Sequence, residues 1–377
     1  MSARGGRFEP RRIVVVVTRQ IGDVLLTTPL IAAAKARWPQ AEVDVLGFAG
    51  TLAVLAGNPA VSSLIAMEPR SGFRRALPLV RRLWRRYDLA LVADPGDRAH
   101  LFGAIAGRVR SGVVHDRSAW WKRRLLRHVV TMLDASTHVV VERARLLEPW
   151  ADPASPGAVT PPRGSLLPAD IEALLRARPV VVHVPSMWRY KQWPLAHFKT
   201  LVAALLADGE QVVVTGGPSA EDRAKVAEVC SLAGPPSLVD VAGRLDLAQL
   251  STLLGRAAVY IGPDTSVTHL AAACGAPTIA IYGPTSPQRW GPWPDTEGTS
   301  ADAPLPGYAL RASRQQLGRV ILLQGPGACV PCGRAGCDDH HQSRSDCLDA
   351  LDPGRVIGEA RRILAGSAAA LDDFAER

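Results

Sequence analysis

Four short loops of this 377-residue chain carry side chains that could do chemistry. The first is Arg19-Gln20-Ile21-Gly22-Asp23, which leaves an apolar run and opens a helical stretch. Gly22 permits a tight turn or a close approach to a ligand, and the Asp23 carboxylate could take a proton from a hydroxyl. Asp23 could equally be a helix cap. Thr28-Pro29 offers a second cap with Pro in the first turn, which would release Asp23 from that duty. The second loop is Gly262-Pro263-Asp264-Thr265-Ser266-Val267-Thr268-His269, ahead of an alanine-rich helix. A hydroxyl-rich helix start with free N–H groups suits phosphate. Against that, Asp264 or Thr265 could be caps and His269 a satisfied buried histidine. The third loop, Pro185 to Pro194, carries Arg189 and Lys191, which could aim cations at a ligand or lie solvated along Trp193. The fourth, Thr215-Gly216-Gly217-Pro218, has Glu221 and Asp222 just beyond it, carboxylates that could hold ribose hydroxyls.

These loops need a scaffold that brings them together. Ile13 to Thr18, Glu42 to Leu46 and Asp88 to Ala93 read as buried strands separated by helical stretches. Pro153, Pro156, Pro161, Pro162 and Pro168, with Gly157 and Gly164, then break all regularity. The alternation restarts with strands at Pro179 to Val184, Gln211 to Thr215, Ser237 to Val241, Ala257 to Ile261 and Thr278 to Tyr282. Continuous apolar strands alternating with helices imply parallel sheets covered on both faces. The expected fold class is α/β, two doubly wound Rossmann-like domains facing a cleft, with ligands at the carboxyl ends of the strands. The expected boundaries are 1–155 for the first domain, 156–170 for a Pro/Gly-rich linker, 171–351 for the second domain, and 352–377 for a C-terminal helix packing back across the cleft. All four loops follow strands, so they would gather an acid, cations and a phosphate-binding helix end around one cleft.

Composition narrows the classes. Apolar residues make up 47% and charged residues 21%, enough for two real cores. A net charge of +9 favours an acidic partner such as a phosphate or anionic lipid. Aromatic and basic residues do not alternate as a base-stacking surface would require, which argues against nucleic acid. No apolar run reaches the roughly 18 residues needed to span a bilayer. The polar, basic N-terminus lacks a signal-peptide core, so a cytoplasmic location is expected. No dinucleotide fingerprint, Walker loop or nucleophile elbow appears, which disfavours dehydrogenases, ATPases and serine hydrolases.

Gly22-Asp23-Val24-Leu25-Leu26-Thr27-Thr28-Pro29, Lys191-Gln192-Trp193-Pro194 and Asp264-Thr265-Ser266-Val267-Thr268-His269-Leu270-Ala271-Ala272 resemble motifs of glycosyltransferase family 9, the ADP-heptose:lipopolysaccharide heptosyltransferases and their relatives. Gly283-Pro284-Thr285-Ser286-Pro287, Arg289-Trp290 and a late cysteine cluster fit as well, in the same order along nearly the whole chain. The resemblance implies a GT-B fold and inverting, metal-independent transfer of heptose from an ADP-sugar to an acceptor hydroxyl, with no catalytic cofactor. It implies Asp23 as general base and Lys191 as the cation facing the diphosphate. It implies phosphate contacts at Thr265 and Ser266, with Asp264 on sugar hydroxyls and His269 in the same loop. Glu221 or Asp222 would hold the ribose beside Gly216 and Gly217, and Leu245 would line the adenine site. Family members often carry a Gly/Thr/Ser-rich loop after the first strand of the second domain. This chain reads Pro185-Ser186-Met187-Trp188, which leaves Ser186 as the donor-binding residue there. The expected acceptor is lipopolysaccharide core, an anionic glycolipid. A protein, a small molecule, or a sugar-nucleotide epimerase on the same architecture are the alternatives.

Two features stand apart. Cys329, Cys332, Cys337 and Cys347 could hold zinc or iron as a structural staple, with His340 and His341 as substitutes, or could be reduced thiols. Arg70, Arg74, Arg75, Arg81, Arg82, Arg85 and Arg86 form a basic run, and Trp120-Trp121-Lys122-Arg123-Arg124 a second basic, aromatic patch. Either is a solvated helix face or a peripheral contact with the inner membrane or a phosphorylated acceptor.

Overall fold

The structure, a computed structural model, describes residues 8–69, 73–132, 136–151, 156–231, 237–294 and 307–375. Arg70, the side chain of Arg74, Pro153 and the last two residues of the expected C-terminal helix lie outside the described residues.

The chain forms two compact units divided between Thr160 and Pro161. The first contains β1 (Arg12–Val16), α1 (Ile21–Leu25), α2 (Thr28–Arg37), β2 (Glu42–Phe48), β3 (Ser63–Met67), α3 (Phe73–Leu83), β4 (Tyr87–Val92), α4 (Asp97–Ala106), β5 (Gly107–Val114), α5 (Trp120–Leu125), β6 (His128–Thr131) and α6 (Val139–Ala144). Its sheet runs β3-β2-β1-β4-β5-β6, and every neighbouring pair is parallel. The Ile13–Val17 run is apolar without alternation because β1 lies between β2 and β4 and both its faces are covered; all five residues are fully buried.

The second unit contains α7 (Ala169–Leu174), β7 (Val180–His183), α8 (Leu195–Ala207), β8 (Val212–Thr215), α9 (Ala220–Cys230), β9 (Leu238–Asp240), α10 (Leu247–Gly255), β10 (Val259–Pro263), α11 (Ser266–Ala273), β11 (Thr278–Tyr282), α12 (Pro287–Trp290), β12 (Arg314–Leu317), β13 (Val320–Gln324), α13 (Asp346–Asp349) and α14 (Pro353–Ala375). Its sheet runs β12-β13-β11-β10-β7-β8-β9, parallel except for the β12–β13 hairpin. Val182, Val214, Ile261 and Ile281 from four strands meet Phe198, Val202 and Val226 from the helices in one buried core.

The sequence reading missed β3, β5, β6, β12 and β13. β3 alternates exposed and buried residues only weakly. Gly107 and Gly112 make β5 resemble a loop, yet a Cβ at Gly107 would lie 2.5 Å from the Ala90 side chain, so a glycine is needed for β5 to lie against β4. The hairpin is a plain omission, since Val320-Ile321-Leu322-Leu323 is an apolar run after a glycine.

The division between the units falls within residues 156–170, which make contacts in both. Thr160 N donates to Thr28 Oγ1 at 2.9 Å in the first unit, while Leu166 O accepts from Gln249 Nε2 at 2.7 Å and Asp170 pairs with Arg244 in the second. α14 packs on α8, where Arg361 holds Asp208 in two charge-assisted bonds of 2.7 and 3.0 Å.

Candidate functional site

In the first unit the loop after β1 turns at Gln20, the N-cap residue of α1, which makes no side-chain cap. Asp23 is therefore inside the first turn and does not cap the helix. It is buried, at 9% exposure, where a free carboxylate would be costly. Arg143 of α6 meets it. Nη2 donates to Asp23 Oδ1 at 2.9 Å, Nη1 to the Asp23 carbonyl at 2.7 Å, and Nε to the Ala93 carbonyl at 3.1 Å. Burial pushes the Arg143 guanidinium below its ordinary pKa, and the Asp23 charge and hydrogen bond oppose that shift. Arg19 Nε lies 3.8 Å from Asp23 Oδ2, beyond hydrogen-bonding distance. One oxygen is thus fixed by a buried cation, while among the described residues the other has only the more distant Arg19 charge beside it.

Asp94, leaving β4, reinforces this corner. Its Oδ2 accepts from Thr18 N at 2.6 Å and Thr18 Oγ1 at 3.1 Å, and its Oδ1 accepts from Gly96 N at 2.8 Å. The exits of β1 and β4 are thereby pinned together. Sequence reasoning singled out neither Arg143 nor Asp94. Asp94 had a signal, being a carboxylate directly after an apolar strand; Arg143 had none, because its partner is 120 residues away.

In the second unit Lys191 ends a 3-10 turn, Arg189–Lys191, and its Nζ lies 2.7 Å from Asp264 Oδ2. Asp264 follows β10 and is 6% exposed. Burial pushes its carboxyl up, but Lys191, His269 and a hydrogen bond from Thr285 together hold it below the usual carboxylate value. Thr265, the N-cap of α11, makes no side-chain cap hydrogen bond, so neither Asp264 nor Thr265 serves as a side-chain cap here. Ser266 begins the helix, and His269, buried, lies within its first turns. Beneath the loop Tyr260 OH and Thr268 Oγ1 are 2.9 Å apart. A Cβ on Gly262 would lie 2.2 Å from that phenol oxygen, so only glycine fits. Ser186 is buried and its carbonyl accepts from Gln192 Nε2 at 2.8 Å, closing the loop that carries Lys191.

The Gly216-Gly217 turn approaches α9 closely. A Cβ on Gly216 would lie 2.8 Å from Val226 Cγ2, and one on Gly217 would lie 2.5 Å from Asp222 Oδ2. Asp222 therefore faces the turn, whereas Glu221 is mostly exposed and pairs with Lys225 at 2.7 Å. Gly243 N donates to Gly216 O at 3.0 Å, which draws the loop bearing half-buried Leu245 beside the same turn. The second unit thus brings together Lys191 with Asp264, and separately Gly216, Gly217, Asp222 and the Leu245 loop.

The four-cysteine metal staple finds no support in the side-chain geometry. Among the described residues no three His, Cys, Asp or Glu side chains are gathered as metal ligands, although all four thiols are described. Cys329 and Cys337 are exposed, and Cys347 packs toward Gly283 with its thiol pushed up to about 11, by burial first and then by the neighbouring Cys332. Other contacts organise this segment. The His341 ring stacks on Trp188 at 4.0 Å, the His341 carbonyl accepts from Arg189 N at 3.2 Å, and Ser345 Oγ donates to the Tyr190 carbonyl at 2.7 Å. The cysteine segment is a prop beneath the turn that carries Lys191.

The family model of glycosyltransferase family 9 (heptosyltransferase) matches residues 76–304, more than half of the chain. The chain belongs to glycosyltransferase family 9. It is 30% identical over 291 residues to lipopolysaccharide heptosyltransferase 3 of Escherichia coli, covering 72% of this chain and 83% of that one. It is 28% identical to lipopolysaccharide heptosyltransferase 2 of Salmonella typhimurium, over 73% and 84% of the two chains. Among solved structures, a family 9 glycosyltransferase from Veillonella parvula superposes with a TM-score of 0.74 at 18% identity, covering 96% of this chain and 99% of that one. The E. coli ADP-heptose lipopolysaccharide heptosyltransferase II follows at 0.69 and 22%, with 95% and 99% covered. The fold is GT-B, and the protein is a glycosyltransferase. Family membership places it with transferases rather than with epimerases.

Proposed function

We propose that this family 9 enzyme transfers heptose from ADP-heptose to a hydroxyl of lipopolysaccharide core, with inversion, using Asp23 as general base. The observation that carries the reading is the Asp23–Arg143 pair. A buried guanidinium fixes one carboxylate oxygen and leaves Oδ2 to receive the acceptor proton. The hydroxyl oxygen attacks the anomeric carbon, the bond to the diphosphate breaks on the opposite face, and the proton passes to Asp23. Lys191 and the N–H groups at the start of α11, from Thr265 and Ser266, stabilise the charge growing on the leaving diphosphate. Fixed charges of this kind are usually the largest catalytic contribution. In this reading they supply the positive charge that a metal ion provides in other transferases.

Asp264 would hand Lys191 to the diphosphate and take sugar hydroxyls in exchange. Asp222 is favoured over Glu221 for the ribose because it faces Gly217, and Leu245 would meet the adenine. Donor and acceptor are those for which the relatives are named, ADP-heptose and lipopolysaccharide. No helix among the described residues is long and apolar enough to cross a membrane. With a lipid-linked acceptor, the proposed workplace is the cytoplasmic side of the inner membrane, with peripheral contact.

The test is a panel of ADP-, UDP- and GDP-sugars offered with lipopolysaccharide core acceptor, scored by release of the nucleoside diphosphate and by the mass of the acceptor. ADP-heptose alone should give release and a heptose mass increment. Turnover with UDP- or GDP-sugars and none with ADP-heptose would overturn the donor assignment.

A further inference from the structure

Sequence alone left the two basic, aromatic stretches as separate features. The fold places them on one layer. α3, α4 and α5 are consecutive neighbours over the first sheet. The end of α3 is tied to α4 by Arg85 N donating to Ile105 O at 2.8 Å. α5 is tied to α4 by Lys122 paired with Asp97 at 2.5 Å and by Trp121 set edge-on to His100. Each of the three helices shows solvent one large apolar side chain: Trp84, directly after α3, at 64% exposure, Leu101 of α4 at 51%, and Trp120 of α5 at 69%. Around them stand exposed Arg81, Arg82, Arg85, Arg86 and Arg124. The ion pairs in and beside the layer use Lys122 with Asp97 on the helices and Arg108 with Asp88 on the strands β5 and β4. They leave those five arginines without a carboxylate partner among the described residues. Arg124 lies 5.6 Å over the Trp120 ring.

We propose that the outer face of the α3–α4–α5 layer is the surface by which this enzyme docks on an anionic phospholipid bilayer. This deepens the peripheral location given above and is independent of which sugar is transferred. The exposed apolar residues come one from each helix, with exposed arginines next to Trp84 in the chain and over Trp120, whereas charged residues are depleted at the centre of a protein interface. A protein partner would need several matching carboxylates at fixed positions. A bilayer surface supplies phosphates everywhere, and its headgroup layer accommodates indole rings and guanidinium groups side by side. Arginine stems can lie along the apolar boundary while their heads stay among the phosphates.

The experiment is co-sedimentation of the full chain with vesicles of phosphatidylcholine alone and of phosphatidylcholine mixed with phosphatidylglycerol. Wild-type protein should sediment with the mixed vesicles, weakly with phosphatidylcholine, and less as salt is raised. At about fivefold per arginine near an anionic surface, the quadruple Arg81→Gln, Arg82→Gln, Arg85→Gln, Arg86→Gln variant should lose binding by up to several hundredfold, and by no less than about tenfold if only part of the face engages. Trp84→Ala with Trp120→Ala should lose severalfold on the same vesicles. Both should keep wild-type melting temperature and wild-type turnover of a soluble, delipidated acceptor, because the altered side chains are exposed. Arg223→Gln with Arg256→Gln, exposed on the other unit, should bind as wild type does. Equal binding to both vesicle types, or equal losses in the control variant, would overturn the proposal. So would a concentration-dependent dimer that the Trp84→Ala, Trp120→Ala variant abolishes while vesicle binding is absent, which would assign the face to a second copy of the chain. Loss of transferase activity with vesicle binding intact would instead count against the proposed reaction and leave the docking face standing.

Discussion

Arg143 grips Asp23 at two points, the carboxylate at 2.9 Å and the backbone carbonyl at 2.7 Å. The guanidinium thus sets both the position of the α1 turn and the orientation of the acid. Removing one partner of a buried pair strands the other, at a cost of about 3–5 kcal/mol. Arg143→Met should therefore lower stability by an amount in that range, measured by denaturant unfolding. Where the variant stays folded at low temperature, it should lose kcat while binding ADP-heptose normally, because nothing in the second unit is altered. Arg143→Lys, which keeps the charge and loses the fork, should recover part of the stability and less of the kcat. Weakened donor binding with kcat intact would contradict the positioning role.

Lys191 and Asp264 form the corresponding pair in the second unit, but there the proposed function requires them to separate. Lys191→Ala should lower kcat by about a hundredfold or more, as loss of a preorganised charge does. It should also destabilise the fold, since Asp264 stays buried without its cation. Adding Asp264→Asn should restore melting temperature without restoring turnover. If the double variant recovers activity, Lys191 serves only to neutralise Asp264.

The prop beneath Lys191 is separable from its cysteines. Ser345→Ala and His341→Ala remove contacts to Tyr190 and Trp188. Each should raise the ADP-heptose dissociation constant severalfold with little change in melting temperature, measured by calorimetry. Cys329→Ser and Cys337→Ser, at exposed positions, should leave donor affinity unchanged.

His183 gives a pH signature. It is buried, with Nδ1 2.9 Å from Thr215 Oγ1, and burial pushes its pKa down to about 4. The unfolded chain takes up a proton near pH 6.5 that the folded protein refuses until about pH 4. The stability from the neutral imidazole is therefore complete above pH 6.5 and is lost as pH falls toward 4. Between pH 7 and 5 the loss should be about 2 kcal/mol from this group. Unfolding curves at the two pH values should show that much less sensitivity in His183→Gln. An equal slope would place the titration elsewhere.

The sequence made the backbone of this account readable where chemistry is local. Ile13–Val17 could only be a buried strand, and Gly262 and Asp264 sit where a strand must end and a helix begin. What it hid was long-range. Arg143 looked like any helix arginine until the fold carried α6 against α1. Trp188, His341 and Ser345 gained meaning only when the cysteine segment docked on the Lys191 turn. The cysteine spacing records possible metal ligands, but what the segment touches could be read only from the fold. Asp23 stood as base or cap with equal weight, and the Gln20 cap position decided against the cap.

The most direct test of the central claim is single-turnover transfer by Asp23→Asn, with donor affinity measured on the same preparation. The substitution keeps the size of the side chain and a carbonyl oxygen for Arg143 to bond. The account requires that ADP-heptose still binds with near wild-type affinity while transfer to the acceptor falls by about a hundredfold or more, the usual worth of a general base. Wild-type transfer rates from a folded Asp23→Asn protein would contradict it.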